Sequence, residues 1–338
     1  MKRFTCPTCA TEVHFRNQSC VNCGTQLGFD ANAMTMCAAG DDVVLCANAH
    51  GAGCNWLAVT ATPGSYCLAC QHNRIVPDAS MDGNLTRWHD VELAKRKLIY
   101  ALIRWNLPRP TRAQDPNMGL AFDFLADAEG PNGVTPVMTG HQSGLITINI
   151  AESDDDVRVA RRTAMDEPYR TLIGHMRHEI GHYYWAMLVD GSSLIDRYRS
   201  LFGDERDNYA AALQRHYDQG APAGWRQTHI SAYATAHPWE DFAETWAHWM
   251  HIADGMETAA AYALSLDGRQ VTEDAYAATD VTQASTTGVT SVALNNMNRA
   301  MGQPDLYPFV LNKPVMEKLQ FINDLIHTTV DSPAPVAA

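Results

Sequence analysis

Residues 178–182 read His178-Glu179-Ile180-Gly181-His182, and this run constrains the fold because its two histidines act together only on a helix. Four residues apart, they lie on one helical face, one turn above the other. That is the spacing a single zinc ion needs, and Glu179 stands between them, where it can take a proton from a water during attack on an amide carbonyl. The flanking residues favour the helix. Pro168 follows Asp166 and Glu167, which suits a helix start, and Tyr169 to Val189 has no further proline and contains Leu172, Met176, Ile180, Met187 and Leu188. The plainer alternative is a pair of core histidines bonded to backbone; the helix and the intervening Glu179 favour zinc.

A catalytic zinc has three protein ligands and an open position, so a third ligand is expected downstream, in the stretch Ser231 to Glu244. A second helix can begin after Pro238, setting Glu240 and Glu244 four apart on one face. One carboxylate could then bind zinc while the other orients a histidine. At this point the chain resembles the glutamate-ligand zincins, especially the lethal-factor-like metallopeptidases, in which a tyrosine stands seven residues before a glutamate of a Glu-x-Phe-Ala-Glu helix. Tyr233 and Glu240 reproduce that spacing. The resemblance implies Glu240 as third ligand, Glu244 as the partner that orients a ligand, and Tyr233 as the phenol donating to the oxyanion. Asp241 remains the rival ligand.

Over nearly its whole length the chain is also similar to a bacterial family of zinc-binding metallopeptidases with an N-terminal zinc ribbon. The similarity runs through Cys6-Pro7-Thr8-Cys9, Cys54-Asn55-Trp56-Leu57, Glu167-Pro168-Tyr169-Arg170-Thr171, Gly174-His175-Met176-Arg177-His178-Glu179 and His237-Pro238-Trp239-Glu240-Asp241-Phe242. It implies a zinc peptidase acting on peptide or protein substrates. Leu319 to Asp324 resembles the final helix of lethal-factor-like domains.

All nine cysteines lie within the first 70 residues. Cys6 and Cys9, then Cys20 and Cys23, form two knuckles that predict one structural four-cysteine zinc, with Gly24 free to take the turn conformation behind the second. Cys46, Cys54, Cys67 and Cys70 predict another, with His50 as a possible substitute for Cys46 or Cys54. The expected complement is therefore one catalytic and two structural zincs. Cys37 is left over as a buried thiol. An odd count favours thiols and metal over disulfides. Met1 to Cys6 enters the first knuckle with no room for an apolar signal segment, and no stretch is long enough to span a membrane, so a reducing cytoplasm is expected.

The predicted class is α+β: a zinc-ribbon region over 1–78, a mainly helical zincin-like domain with a small β-sheet over 85–330, and a disordered tail over 331–338. The linker between Cys70 and Leu85 is rich in turn formers. Trp88, Val91, Leu98, Leu102 and Trp105 recur at helical spacing among Glu92, Lys95, Arg96 and Lys97. Leu120 to Leu125 and Leu145 to Ile150 read as strands, the second entered through Gln142-Ser143-Gly144. Leu145 to Ile150 is either the edge strand that pairs with extended substrate or an ordinary interior strand.

Several conspicuous groups have plainer readings. His175 suits a supporting role better than ligation, and His248 and His251 suit packing. Tyr183, Tyr184, Trp185, Trp246 and Trp249 suit the core. Asp154-Asp155-Asp156 lacks the ligand spacing of a calcium site, and Arg158, Arg161, Arg162 and Arg170 can pair with such acids. Residues 1–78 carry four Lys or Arg against five Asp or Glu, and the formal net charge of the chain is -13. No basic footprint for nucleic acid exists there, so a protein partner of the ribbon is the simpler expectation. Two other classes stay open: a hydrolase of non-peptide amides, and a zinc-ribbon adaptor with a silent centre.

Overall fold

The computed structural model describes all residues except 41–42, 131–132, 136, 159–170, 267, 272–273, 308 and 332–338. The contacts divide the chain into two compact units, one of Lys2–Ile103 with Pro108–Arg158, the other of Met1, Arg104–Leu107 and Val159–Ala338. The architecture is mixed α+β.

The first unit opens with two small antiparallel ladders, β1 (Phe4–Thr5) with β2 (Glu12–Val13) and β3 (Leu27–Asp30) with β4 (Thr35–Ala38). Gly24 has φ +74°, the left-handed turn anticipated behind the second knuckle. So few strand residues cannot enclose a core of ordinary size, and aromatic rings supply it instead. Phe15 and Phe29 lie 5.0 Å apart, Trp56 lies 5.0 Å from Phe29, and Tyr100 of α1 (Asn84–Arg104) lies 5.6 Å from Phe15. The helix thus completes the cysteine-rich core. The compact unit runs on through the stretch between Cys70 and Leu85, and Tyr100 of α1 packs against Phe15 and Phe29 of the cysteine-rich part.

Trp88, Val91, Leu98 and Leu102 are buried on α1 as their spacing predicts, and so are Glu92, Lys95 and Arg96. Glu92 and Lys95 are buried as a pair: Lys95 Nζ lies 2.9 Å from Glu92 Oε2 and also bonds the Asn73 side chain, while Arg96 Nη2 donates to the Gly53 carbonyl at 3.4 Å. Behind α1, β5 (Asn73–Ile75), β6 (Ala121–Leu125), β9 (Gly140–Gln142) and β10 (Leu145–Asn149) form a four-stranded sheet in the order β5-β6-β10-β9. β5, β6 and β10 run parallel, and β9 pairs antiparallel with β10 through the turn at Ser143 and Gly144. β7 (Ala128–Gly130) and β8 (Gly133–Thr135) make a separate hairpin. Leu145 to Asn149 is therefore an interior strand. The edge beside it belongs to β9, which the sequence reading passed over because three residues carry no periodicity. Asp154 pairs with Arg87 at 2.8 Å and Asp155 with Arg158; Arg161, Arg162 and Arg170 lie outside the described residues.

The second unit is built on α2 (Leu172–Leu188) and α5 (Pro238–Ala261), supported by α3 (Ile195–Phe202), α4 (Tyr209–Gln219), α6 (Ser285–Ala300) and α7 (Lys313–Asp331). Thr171 caps α2, its side chain accepting from the Gly174 N–H; the expected start at Pro168 lies outside the described residues. His237 caps α5 by accepting from Trp239 N–H at 3.1 Å, and Pro238 occupies the first turn as anticipated. Tyr184 stacks on Trp246 at 4.9 Å, and Tyr183 and Trp249 are buried, so these aromatics serve the core. The expected tail at 331–338 is outside the described residues, apart from Asp331, the last residue of α7.

Candidate metal centre

Among the described residues, three groups bring metal-ligating atoms together: Cys6, Cys9, Cys20 and Cys23; Cys46, Cys54, Cys67 and Cys70; and His178, His182 and Glu240. In the first, Sγ of Cys6 and Cys23 are 3.7 Å apart and those of Cys9 and Cys20 are 3.6 Å apart. In the second, Cys54 and Cys67 are 3.7 Å apart and Cys54 and Cys70 are 3.9 Å apart. A tetrahedral zinc with sulfurs at about 2.3 Å sets neighbouring sulfurs roughly 3.8 Å apart, whereas a disulfide needs about 2.05 Å. All nine cysteines are free thiols. Amides support the second set, with Cys67 N–H and Cys70 N–H each 3.4 Å from a sulfur, of Cys46 and Cys67 respectively. Four cysteines complete that set, and His50 takes no part in it. Cys37 stands apart, half-buried, its thiol donating to the Gly28 carbonyl at 3.2 Å.

The third group joins two helices. α2 presents His178 and His182 one turn apart, and the first turn of α5 presents Glu240. His178 Nε2 lies 3.1 Å from His182 Nε2 and 2.9 Å from Glu240 Oε2, and His182 Nε2 lies 3.5 Å from the same oxygen. Ligands at about 2.0–2.1 Å around a tetrahedral zinc stand roughly 3.3 Å from one another. The donor set fits zinc for a second reason. His178 Nδ1 donates to Glu244 Oε1 at 2.7 Å, which turns the lone pair of a neutral imidazole inward at Nε2. Glu240 Oε2 is buried and makes no hydrogen bond. A proton on His178 Nε2 can serve one of the two facing atoms, while a divalent cation serves all three.

The electrostatics point the same way. Burial opposes charge on His178, but Glu240 and Glu244 push its proton affinity well above that of an ordinary histidine. Burial also opposes charge on Glu240, yet His182 and His178 hold it well below the usual carboxylate range. Glu244, pushed up by burial and pulled down by His178, settles at about 2. The pocket is built to attract positive charge.

Asp241 is not part of it. Its carboxylate receives Lys318 Nζ at 2.5 Å, and burial raises it to about 7 despite that ammonium. Successive helical residues point about 100° apart, so Glu240 and Asp241 cannot face one metal together. Glu179 Oε1 lies 3.2 Å from His175 Nε2. Burial raises the Glu179 pKa, and His175, His178 and His182 bring it below the ordinary value. His175 thus anchors the Glu179 carboxylate. His248 bonds the Tyr307 hydroxyl at 3.0 Å, and His251 accepts from Arg177; neither belongs to the ligand group.

The ring of Tyr233 sits 5.8 Å from that of His178. Its short helical turn is fixed by Ser231, whose hydroxyl accepts from Ala234 N–H at 3.1 Å and donates to Glu244 Oε2 at 2.7 Å. Two contacts lay beyond sequence reasoning. Ser231 falls inside the stretch searched for a ligand, but nothing in its spacing links it to Glu244. Tyr209 donates to Glu240 Oε1 at 2.7 Å from 31 residues away, and its only local signal is the helix start after Asn208.

Residues 84–325 match the model of a family described as "Putative zinc-binding metallo-peptidase". The chain belongs to that family. Residues 3–81 match a zinc-ribbon domain, in agreement with the cysteine groups. The chain is 43% identical over 339 residues to uncharacterized protein Rv2568c of Mycobacterium tuberculosis and to uncharacterized protein Mb2598c of Mycobacterium bovis, covering 99% of this chain and 97% of each relative. No solved structure matches it significantly. No helix among the described residues is long and apolar enough to cross a membrane.

Proposed function

We propose that the chain is a zinc-dependent peptidase of the glutamate-zincin type, with His178, His182 and Glu240 holding the catalytic metal and the two cysteine sets holding one structural zinc each. The observation that carries this reading is the convergence of His178 Nε2, His182 Nε2 and Glu240 Oε2 within 2.9–3.5 Å. Zinc bound there supplies Lewis acidity, which activates water and polarises an amide carbonyl.

The chain's own groups divide the remaining work. Glu179 accepts the proton of the attacking water and passes it to the departing amine. His175 holds that carboxylate in place at 3.2 Å. Burial first, then Glu240 and other neighbours, raise the Tyr233 phenol well above 10, so it stays protonated and donates to the carbonyl oxygen as negative charge develops there. Glu244 and Ser231 fix the tautomer of His178 and the turn carrying Tyr233. The family supports peptide or protein substrates for this chemistry. The two thiol clusters suit a reducing compartment such as the cytoplasm, and the ribbon is available for a protein partner.

The test pairs zinc analysis with turnover. Wild type should hold about three zincs, His178→Ala and Glu240→Ala about two, and Glu179→Gln about three with no cleavage of a peptide library. Wild type holding about two zincs, unchanged in the first two variants, would sink the reading.

A further inference from the structure

We propose that Tyr209 is a positioning residue that locks Glu240 into one-oxygen coordination of the catalytic metal. The inference rests on the reading of His178, His182 and Glu240 as the ligands.

A carboxylate offers a metal either one oxygen or both, and the choice depends on what occupies the second oxygen. In Glu240 the two oxygens have separate tasks. Oε2 faces His178 Nε2 at 2.9 Å and makes no hydrogen bond, whereas Oε1 accepts from the Tyr209 hydroxyl at 2.7 Å. Glu240 is 1% exposed, so in the folded chain Oε1 takes its hydrogen bond from Tyr209 rather than from bulk water. The short bond to an ionised acceptor holds the carboxylate plane at its terminal torsion, which is otherwise soft.

The ring of Tyr209 is not what α4 needs for folding. Tyr209 is 38% exposed, and Ala212 is the buried residue of the helix. The ring lies against His237 and Trp239, at 5.2 Å and 5.8 Å, both contacts that phenylalanine keeps. Only the hydroxyl reaches a buried charge. Tyr209 and Tyr233 therefore differ in kind. The Tyr209 proton is committed to Glu240, and Tyr233, against the ring of His178, is the one left to meet substrate.

With the hydroxyl removed, Glu240 is free to turn and bring its second oxygen to the metal. That fills the position the substrate carbonyl needs and replaces a preset site with a mobile one.

The experiment uses the full chain as wild type, Tyr209→Phe and Tyr217→Phe, the last altering a phenol of the same helix. Metal outside the cysteine clusters is stripped with a chelator and restored as zinc or cobalt(II). Affinity is read by chelator competition and coordination by the cobalt difference spectrum. Tyr209→Phe should bind this zinc about 10–100-fold more weakly, and its cobalt bands should weaken as coordination rises from four to five. Tyr217→Phe should match wild type, and all three stripped proteins should melt together. Wild-type affinity and spectrum in Tyr209→Phe would overturn the inference alone. A wild type that takes up no metal beyond its cysteine clusters would overturn the reading beneath it as well.

Discussion

Gly181 on α2 and Ala243 on α5 meet so closely that a Cβ at position 181 would lie 2.9 Å from the Ala243 Cα and 3.1 Å from the Trp246 Cβ. The contact sits one residue from His182 and one from Glu244, so it sets how near the histidines of one helix come to the carboxylates of the other. Because the obstacle is backbone, Gly181→Ala must move a helix. The variant is expected to lose about 1–3 kcal/mol of stability by overpacking and to hold the zinc proposed at His178, His182 and Glu240 more weakly. Urea unfolding and chelator competition check this; unchanged metal affinity would show that the spacing has slack.

Tyr233→Phe removes a phenol without disturbing the ligands. If it is the proposed oxyanion donor, its loss should cost about 10²–10³ in kcat, with zinc content and KM nearly unchanged. A steady-state comparison on a confirmed peptide substrate decides the matter. A variant with normal kcat would assign the donor role elsewhere.

Lys95 is 0% exposed, within 2.9 Å of the equally buried Glu92 and beside the second cysteine set. Removing one member of a buried pair leaves the other uncompensated, so Lys95→Met should cost about 3–5 kcal/mol. The double variant Lys95→Met with Glu92→Leu should recover much of that loss. Denaturant midpoints of both proteins test the pair, and a double variant less stable than the single would refute it.

His251 carries a pH dependence whose sign follows from its surroundings. Burial first, then Arg177 and His248, push its pKa well below 6.5. Its Nδ1 accepts from Arg177, a bond that requires the neutral ring. Unfolded histidine binds a proton near 6.5, so below that pH the unfolded state holds more protons than the folded one. Stability from this group is complete above about 6.5 and falls with pH by up to about 1.4 kcal/mol per unit until the folded pKa is reached. His251→Gln should flatten stability against pH between about 6.5 and 5. An identical slope in the variant would show that other groups carry the acid lability.

Short-range chemistry was legible before folding. The knuckles at Cys6-Cys9 and Cys20-Cys23, the start of α5 at Pro238, and the one-turn spacing of His178 and His182 depend on residues within a few positions of one another, where chain geometry leaves few choices. β9 is three residues long and carries no pattern, and Leu145 to Asn149 becomes interior only because β9 covers it. The burial of Glu92, Lys95 and Arg96 was illegible for a related reason. A charged side chain on a helix reads as solvated until a partner such as Asn73 arrives from elsewhere.

The sequence by itself determined which atoms could ligate metal and which helices would carry them, because ligand type and helical period are local properties. Tertiary structure decided which carboxylate meets the histidines and what holds it there. Glu240 and Asp241 are neighbours of similar chemistry. Only the close approach of α2 and α5 at Gly181 directs the first to His178 and His182, while α7 brings Lys318 to the second and α4 brings Tyr209 to the first.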